Sequence, residues 1–200
     1  MSSYHHGNLR EALIEAGIRY MNDNGEMGLS LRKISAACGV SHAAMYTHFK
    51  DKNELMNAMR DFINEQFIEA LKNDIDKYND PHEKFVKLGR NYVRFFIKNP
   101  FYFSFLYKYT GITIDLDNLE NEAEYLPFEF YKSVVIGILQ ALNIPKEAHL
   151  QNIVTVWGIM IGVVSVAVMK STQYSGDWEE LATRVFTENI LLSSSITGRM

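Results

Sequence analysis

A twelve-residue segment combines hydrogen-bonding side chains with very small ones, and from Ser41 to Lys52 it reads Ser-His-Ala-Ala-Met-Tyr-Thr-His-Phe-Lys-Asp-Lys. Met45 and Phe49 are four residues apart, so on a helix they would both face inward. The residues then left pointing outward are His42, Ala43, Tyr46 and Thr47. His, Thr and Tyr can bond to base edges or phosphates, alanine can contact a thymine methyl, and the pair Ala43 and Ala44 keeps the helix thin. The segment therefore predicts a helix that enters a DNA major groove.

The residues before this helix predict a first helix and a tight turn. Ser30 can cap a helix start through its hydroxyl, and Leu31 and Ile34 then share one face of that helix. Gly39 ends it, because glycine adopts the left-handed cap without steric cost. Ser41 caps the next helix. Together these signals predict a helix-turn-helix, with an ordinary helical hairpin as the alternative.

The same region resembles the DNA-binding domain of the tetracycline-repressor-like (TetR) family of transcription regulators. The matching residues are Leu31…Ile34, Gly39-Val40-Ser41, Met45-Tyr46, His48-Phe49 and Lys52…Leu55. The family's first helix is resembled by Tyr4-His5-His6-Gly7-Asn8-Leu9, followed by Ala12, Ile14, Ala16 and Gly17. Ser35 and Cys38 stand where the family usually has alanine, and since both are small we expect the packing to survive.

The resemblance implies a set of DNA-binding residues: Ser30, Ser41, His42, Ala43, Ala44, Tyr46, Thr47, His48 and Lys52. Those within His42–Thr47 would reach bases or the nearby backbone, while Tyr46, His48 and Lys52 would hold phosphates. Ser30 would add a phosphate contact at a helix N-terminus, where free N–H groups favour an anion. The alternative roles are packing for Tyr46 and an interhelix hydrogen bond for His48.

The charge distribution gives only thin support for a nucleic-acid partner. The chain has a formal net charge of −4 and a pI near 5.9. Residues 1–52 carry six Lys and Arg against five Asp and Glu, whereas residues 53–200 carry fourteen against nineteen. Because phosphate contacts supply much of the affinity for DNA, we expect few charge contacts per subunit and a strong dependence on dimerisation.

Composition indicates a folded protein of one or two domains, with 47% hydrophobic and 22% charged residues. Cys38 is the single cysteine, so no intrachain disulfide can form, and a small buried residue is expected there rather than a redox sensor. The N-terminus lacks the pattern of a secretory signal, which favours a cytoplasmic location. The stretch 153–169 has no charged residue and predicts a buried helix rather than a membrane span.

Capping signals and periodicity predict an all-α fold of about nine helices. They are expected at 8–24, 30–38, 42–48, 52–78, 81–98, 100–109, 127–142, 147–171 and 177–195. We expect a three-helix helix-turn-helix DNA-binding domain over residues 1–52 and a helical ligand-binding and dimerisation domain over residues 53–200. The helix at 52–78 would be a lever between them, and the acidic stretch 111–125 is predicted to be a mobile loop.

The C-terminal part is rich in aromatic residues, with nine between Tyr92 and Tyr109. An aromatic-lined cavity for an apolar or planar small molecule is one interpretation, and a packed core is the other. With the family resemblance, we expect a ligand site formed by Tyr92, Phe96, Phe103, Tyr107, Phe128, Tyr131 and Trp157.

The last two helices, near 147–171 and 177–195, predict a homodimer interface. Their apolar and small residues include Trp157, Gly158, Met160, Ile161, Gly162, Val164, Ser165, Leu181, Val185, Ile190 and Leu191. Two helices from each subunit would form a four-helix bundle about a two-fold axis. That symmetry predicts a palindromic DNA site.

These features predict a ligand-responsive transcriptional regulator, a repressor that binds a palindromic operator as a dimer and is released by an apolar or aromatic small molecule. No catalytic residues, metal, cofactor or membrane partner are expected. An enzyme is disfavoured because His42 and His48 have no acidic ligand set and no nucleophile beside them. The alternative is a helical small-molecule-binding protein without sequence-specific DNA binding, which the weak basic charge would suit.

Overall fold

The computed structural model describes the backbone of residues 9–196 and the side chains of residues 9–188. All of the regular structure within this range is helical, as predicted. The nine α-helices of the described range are α1 (Leu9–Asn24), α2 (Leu31–Ala37), α3 (His42–Tyr46), α4 (Lys52–Lys72), α5 (Pro81–Lys98), α6 (Pro100–Tyr109), α7 (Leu126–Ala141), α8 (His149–Val168) and α9 (Trp178–Ile196). Single 3-10 turns follow at Ile75–Lys77 and Lys146–Ala148.

The helices form two compact units. The first runs to Glu65 and includes Lys108–Thr110, and the second comprises Gln66–Tyr107 and the chain from Gly111 onward. The first two thirds of α4 belong to the first unit, where Leu55 and Met59 are buried against Gly17 of α1. The sequence-based boundary at residue 52 assigned this part of α4 to the C-terminal domain. The functions assigned to the two domains stay predictions.

In the first unit, local capping sets the helix-turn-helix as the sequence predicts. The Ser30 hydroxyl accepts a hydrogen bond from the backbone N–H of Lys33 at 3.3 Å, and the Ser41 hydroxyl accepts one from Ala44 at 3.1 Å. Gly39, between the two helices, has a φ of +67°, which a side chain would strain. The helix-turn-helix is therefore specified by three residues that lie within the motif itself, Ser30, Gly39 and Ser41.

The helix predicted at 52–78 is shorter than expected, since α4 ends at Lys72. Asp74 has a φ of +60°, which breaks the helix, and a 3-10 turn follows. The buried side chain of Asn91 on α5 donates hydrogen bonds to the carbonyls of Leu71 at 3.1 Å and Asn73 at 2.8 Å. Asn91 thus satisfies carbonyl groups that the end of α4 leaves without a helical partner.

In the second unit, α5 is the central helix and packs against α7, α8 and α9. Gly89 permits close packing with α9, because a Cβ atom there would lie 2.3 Å from the ring of Phe186. Arg94 of α5 also holds Glu179 of α9, its Nε lying 2.9 and 2.8 Å from the two carboxylate oxygens. The two helices are joined by apolar packing and by a two-pronged ion pair.

The α8 helix, predicted as a buried helix rather than a membrane span, has two apolar faces with different surroundings. Its inner face is buried and consists of Ile153, Trp157, Met160 and Val164. Its outer face is exposed and includes Leu150, Val154, Gly158, Gly162 and Val166. By length and composition alone, this helix would also suffice to cross a membrane.

Candidate functional site

The α3 helix presents the polar face that the sequence predicts. Met45 and Phe49 are fully buried, whereas Tyr46 keeps 52% of its surface exposed. Ser41, His42, Ala43 and Thr47 are exposed, and Ala44 and His48 are half-buried. The rings of His42 and Tyr46 meet edge to face with centroids 4.8 Å apart. The two residues thus form one aromatic, hydrogen-bonding patch on the outer side of α3.

The hydroxyl groups of this surface differ in whether they can still donate a hydrogen bond. Those of Ser30 and Ser41 accept capping bonds, so each retains a proton that can be donated to a phosphate oxygen. The hydroxyl of Thr47 already donates to the carbonyl of Ala44 at 2.7 Å. In this conformation Thr47 can therefore serve as a hydrogen-bond acceptor but not as a donor.

Lys52 is less available than the sequence suggests. Its ammonium group lies 3.0 Å from a carboxylate oxygen of Glu26, and the two side chains are 37% and 48% exposed. Ion pairs of this exposure contribute about 0.2–1 kcal/mol. A phosphate would have to displace Glu26, and the cost of doing so is small.

Four basic residues outside the predicted set also lie in the first unit. Arg32 and Lys50 are exposed, and within the described residues neither side chain has a recorded ion pair. Lys33 lies 3.0 Å from the hydroxyl of Tyr20, and the guanidinium of Arg10 lies 5.2 Å from the ring centre of Phe49. Arg32 lies two residues after the cap at Ser30, and Lys50 directly follows the buried Phe49. Their positions within the motif are the sequence signal that could have identified them.

The seven aromatic residues of the predicted ligand site do come together, as one cluster of touching rings in the second unit. Trp157 is its centre, with centroid distances of 5.8 Å to Tyr92, 5.2 Å to Phe128 and 4.6 Å to Tyr131. Phe96 extends it to Phe103 at 5.3 Å and to Tyr107 at 6.4 Å. Rings at these distances are packed against one another. That they bind a ligand stays a prediction, and a ligand would have to part them.

Several tyrosine hydroxyls are enclosed in this cluster. The hydroxyl oxygens of Tyr92 and Tyr107 are 3.0 Å apart, and that of Tyr131 donates to the carbonyl of Ile153 at 2.6 Å. Burial raises the pKa of all three phenols above the ordinary value. Tyr125, which sequence analysis did not single out, is also buried, and its hydroxyl has no hydrogen-bond partner within the described residues.

A separate groove of about 350 Å³ lies on the second unit. Its lining residues are Tyr78, His82, Glu83, Val86, Lys87, Arg90 and Thr187. None of them belongs to the predicted ligand site. Burial lowers the pKa of Lys87, and the nearby Asp74 carboxylate opposes that shift.

Groups that could hold a metal or react as a nucleophile are sparse where the structure describes them. No cluster of three or more His, Cys, Asp or Glu residues has metal-site geometry among the side chains of residues 9–188. Cys38 is half-buried rather than buried, and its Sγ lies 3.7 Å from the carbonyl oxygen of Ala12. Burial raises the pKa of this thiol, which disfavours the reactive thiolate.

Comparisons with known proteins cover the two units differently. The model of the family "Bacterial regulatory proteins, tetR family" matches residues 13–59. The tetracycline repressor protein class C of Escherichia coli is 40% identical over 50 residues, which are 25% of this chain and 23% of that protein. This chain thus matches about a quarter of the length of that relative.

Solved structures extend the similarity of fold to nearly the whole chain. A protein of unknown function from Rhodococcus sp. RHA1 has a TM-score of 0.74 at 21% identity, covering 94% of this chain and 98% of that one. The transcriptional regulator FadR from Bacillus subtilis, solved in complex with stearoyl-CoA, has a TM-score of 0.69 at 18% identity, covering 88% and 95%. At such identities the likeness establishes the fold.

Proposed function

We propose that this chain, which carries the N-terminal domain of the tetR family, is a dimeric transcriptional repressor that an apolar or aromatic small molecule releases from DNA. The observation that carries the proposal is the division of α3 into two faces. Met45 and Phe49 anchor it in the core, and the polar patch of His42 and Tyr46 has no partner surface among the described residues of its own unit. A helix of this kind is suited to a DNA major groove.

In the proposed complex, the two ends of the motif hold phosphates while the middle reads bases. Ser30 and Ser41 donate their free protons, and the cationic side chains of Arg32, Lys50 and Lys52 supply charge. His42, Ala43 and Tyr46 face the base edges. Phosphate contacts fix the register of the helix, and base contacts give it sequence preference.

The proposed dimer uses the outer face of α8. Leu150, Val154 and Val166 are 42%, 44% and 46% exposed, which is unusual for a contiguous apolar stripe on a soluble surface. A Cβ atom placed at Gly158 or Gly162 would meet no atom within 4 Å, so a partner helix could approach closely there. Trp157, Met160 and Val164, which the sequence assigned to this interface, face the core of their own subunit instead. Ile190 and Leu191 lie outside the described side chains.

The effector of the proposed repressor is an apolar molecule bound in the second unit. The aromatic cluster offers stacking and dispersion surface, and the FadR structure named above was solved with stearoyl-CoA. A fatty-acyl chain is therefore a second candidate beside a planar aromatic compound. Because α4 passes from one unit into the other, it is the element through which effector binding would act on α3. The effect on DNA affinity is limited to the effector's preference for one state over the other.

Binding of the purified protein to its own upstream DNA tests this function. We expect a saturable complex that resists a random competitor duplex and weakens as salt rises. The titration is then repeated with stearoyl-CoA and with a planar aromatic compound, either of which should lower the affinity. Complete competition by random duplex would instead favour the alternative of a helical ligand-binding protein without sequence-specific DNA binding.

The dimer is tested with a pair of glycine substitutions. Gly158→Glu places a charge on the outer face of α8, and we expect sedimentation equilibrium to show a shift toward monomer. Gly137→Glu is the matched control, since Gly137 is also an exposed helical glycine with open space around its Cβ position. A dimer that survives Gly158→Glu, or that both variants weaken equally, would remove α8 as the interface.

A further inference from the structure

We propose that the hydroxyl groups of Tyr92, Tyr107 and Tyr125 form a hydrogen-bond-donor site for a neutral, carbonyl-type oxygen of the effector. This proposal deepens the proposed function, and it rests on the effector site lying in the second unit. It specifies the chemistry of the polar part of the ligand, which neither the aromatic cluster nor the fold determines.

The donor count of these three residues leaves protons without acceptors. Between Tyr92 and Tyr107, whose oxygens are 3.0 Å apart, one hydroxyl donates to the other, so a single proton of the pair is used. The proton of the accepting hydroxyl remains available. Tyr125 contributes a second free donor, because its buried hydroxyl has no hydrogen-bond partner within the described residues. Two donors are thus enclosed without the acceptor that buried polar groups normally have.

The free donor of Tyr125 belongs to the same polar region as the Tyr92–Tyr107 pair. The phenol of Tyr107 contributes to the raised pKa of Tyr125, after the larger effect of burial. Tyr125 likewise contributes to the raised pKa of Tyr92. The three side chains come from α5, from α6 and from the residue immediately before α7. Three separate elements therefore converge on one polar region inside an aromatic core.

The electrostatics of the region select a neutral acceptor over an anion. Burial is the largest cause of the raised pKa of each of the three phenols, so all three stay protonated and act as donors. The buried cation of the described residues, Lys132, already holds the carboxylate of Glu129 at 2.7 Å and the carbonyl of Asn121 at 2.6 Å. A carboxylate placed beside the tyrosines would lack a free counter-charge, whereas a ketone, ester, amide or thioester oxygen needs only the donors.

The surroundings supply the rest of the site. Tyr92 and Tyr107 are in ring contact with Phe96, and Trp157 lies against Tyr92. Phe103 and Tyr107 are half-buried, whereas Tyr92 and Tyr125 are buried. A flat or flexible apolar body can enter there by displacing Phe103 while its oxygen reaches the hydroxyls.

The first test uses two probes of nearly the same shape, 9-fluorenone and fluorene, which differ in a carbonyl oxygen. Equilibrium dialysis against the full chain, without DNA, measures each affinity. We expect the ketone to bind about tenfold more tightly than the hydrocarbon. Tyr125→Phe removes one of the two free donors, so it should reduce that preference while leaving fluorene binding unchanged. The matched control is Tyr174→Phe, which removes a hydroxyl from an exposed tyrosine of the same unit and should keep the preference.

Thermal unfolding of the ligand-free protein gives a second, independent readout. Tyr125→Phe removes a hydroxyl that has no partner, so the melting temperature should stay the same or rise. Tyr131→Phe removes a hydroxyl that donates to Ile153, so its melting temperature should fall by about 2–4 °C. A fall of that size in Tyr125→Phe would show a satisfied structural hydroxyl and overturn the proposal.

The outcomes separate this inference from the proposed function. Equal binding of the two probes, no binding of either, or a preference that Tyr125→Phe leaves undiminished would each overturn the hydrogen-bond site, whatever the protein does with DNA. Ketone preference in a protein that fails to bind its upstream DNA would instead support the site and reject the repressor.

Discussion

The α3 surface and the aromatic cluster show two different ways of preparing a binding site. On α3 the functional side chains are already outside, and Met45 and Phe49 hold the helix that carries them. In the cluster the corresponding side chains are inside, and Tyr92, Phe96 and Tyr131 are fully buried. The proposed DNA-binding surface is thus preformed, whereas the proposed effector would have to replace ring–ring contacts with its own. In this proposal, effector binding is the event that rearranges the protein.

The largest predicted effect concerns Phe49, which supports the α3 surface. Phe49→Ala should lower the free energy of unfolding by about 3–5 kcal/mol, because it removes a fully buried ring and leaves a cavity. DNA binding should fall with it, as α3 loses its anchor. Urea denaturation followed by circular dichroism measures the change. Met27→Ala, at a side chain that is 90% exposed, is the control and should shift stability by less than about 0.5 kcal/mol.

A second prediction separates binding from stability on the outer face of α3. Tyr46→Ala should weaken operator binding by about 1–3 kcal/mol, which is roughly 5- to 150-fold. Stability and dimer formation should not change, because the side chain is 52% exposed. Fluorescence anisotropy with the operator measures the affinity, and sedimentation checks the dimer. Unchanged affinity would remove Tyr46 from the site, while a loss of stability would mean that it packs rather than reads.

The third prediction concerns Asn91, a buried polar residue in the second unit. Asn91→Leu should lower the free energy of unfolding by about 1–3 kcal/mol, since the carbonyls of Leu71 and Asn73 lose their buried donor. Asn79→Leu, at an exposed residue of the same unit, controls for the change of residue type. Chemical denaturation gives both values. Equal stability of the two variants would show that the end of α4 does not depend on Asn91.

The same contrast explains how much the sequence could predict. The turn around Gly39 was predictable because Ser30 and Ser41 cap helices that begin at the next residue. The end of α4 was not, because the carbonyl of Leu71 and its donor Asn91 are 20 residues apart. Interactions over such separations arise only from packing, which hydrophobic periodicity does not specify.

In the candidate sites, the residue types could be predicted, but their burial and their interaction partners could not. The outward face of α3 follows from the spacing of Met45 and Phe49, so its members could be named in advance. The spacing does not reveal that Glu26 meets Lys52, which is 26 residues away. Nor does it single out Tyr125, which ends an acidic stretch, immediately precedes α7 and is buried.

The smallest prediction concerns that ion pair and sharpens the description of the α3 surface. Glu26→Gln releases Lys52, and because the pair is exposed its loss should cost at most about 1 kcal/mol of stability. If Lys52 holds a phosphate, operator binding should tighten by up to about fivefold at low salt, and the gain should shrink as salt rises. Glu15→Gln is the matched control, since it removes the same charge from a surface pair with Arg19 in the same unit. A gain confined to Glu26→Gln would place Lys52 at the DNA. Equal gains in both variants would reflect only the change in net charge, and no gain in either would exclude Lys52 from the contact surface.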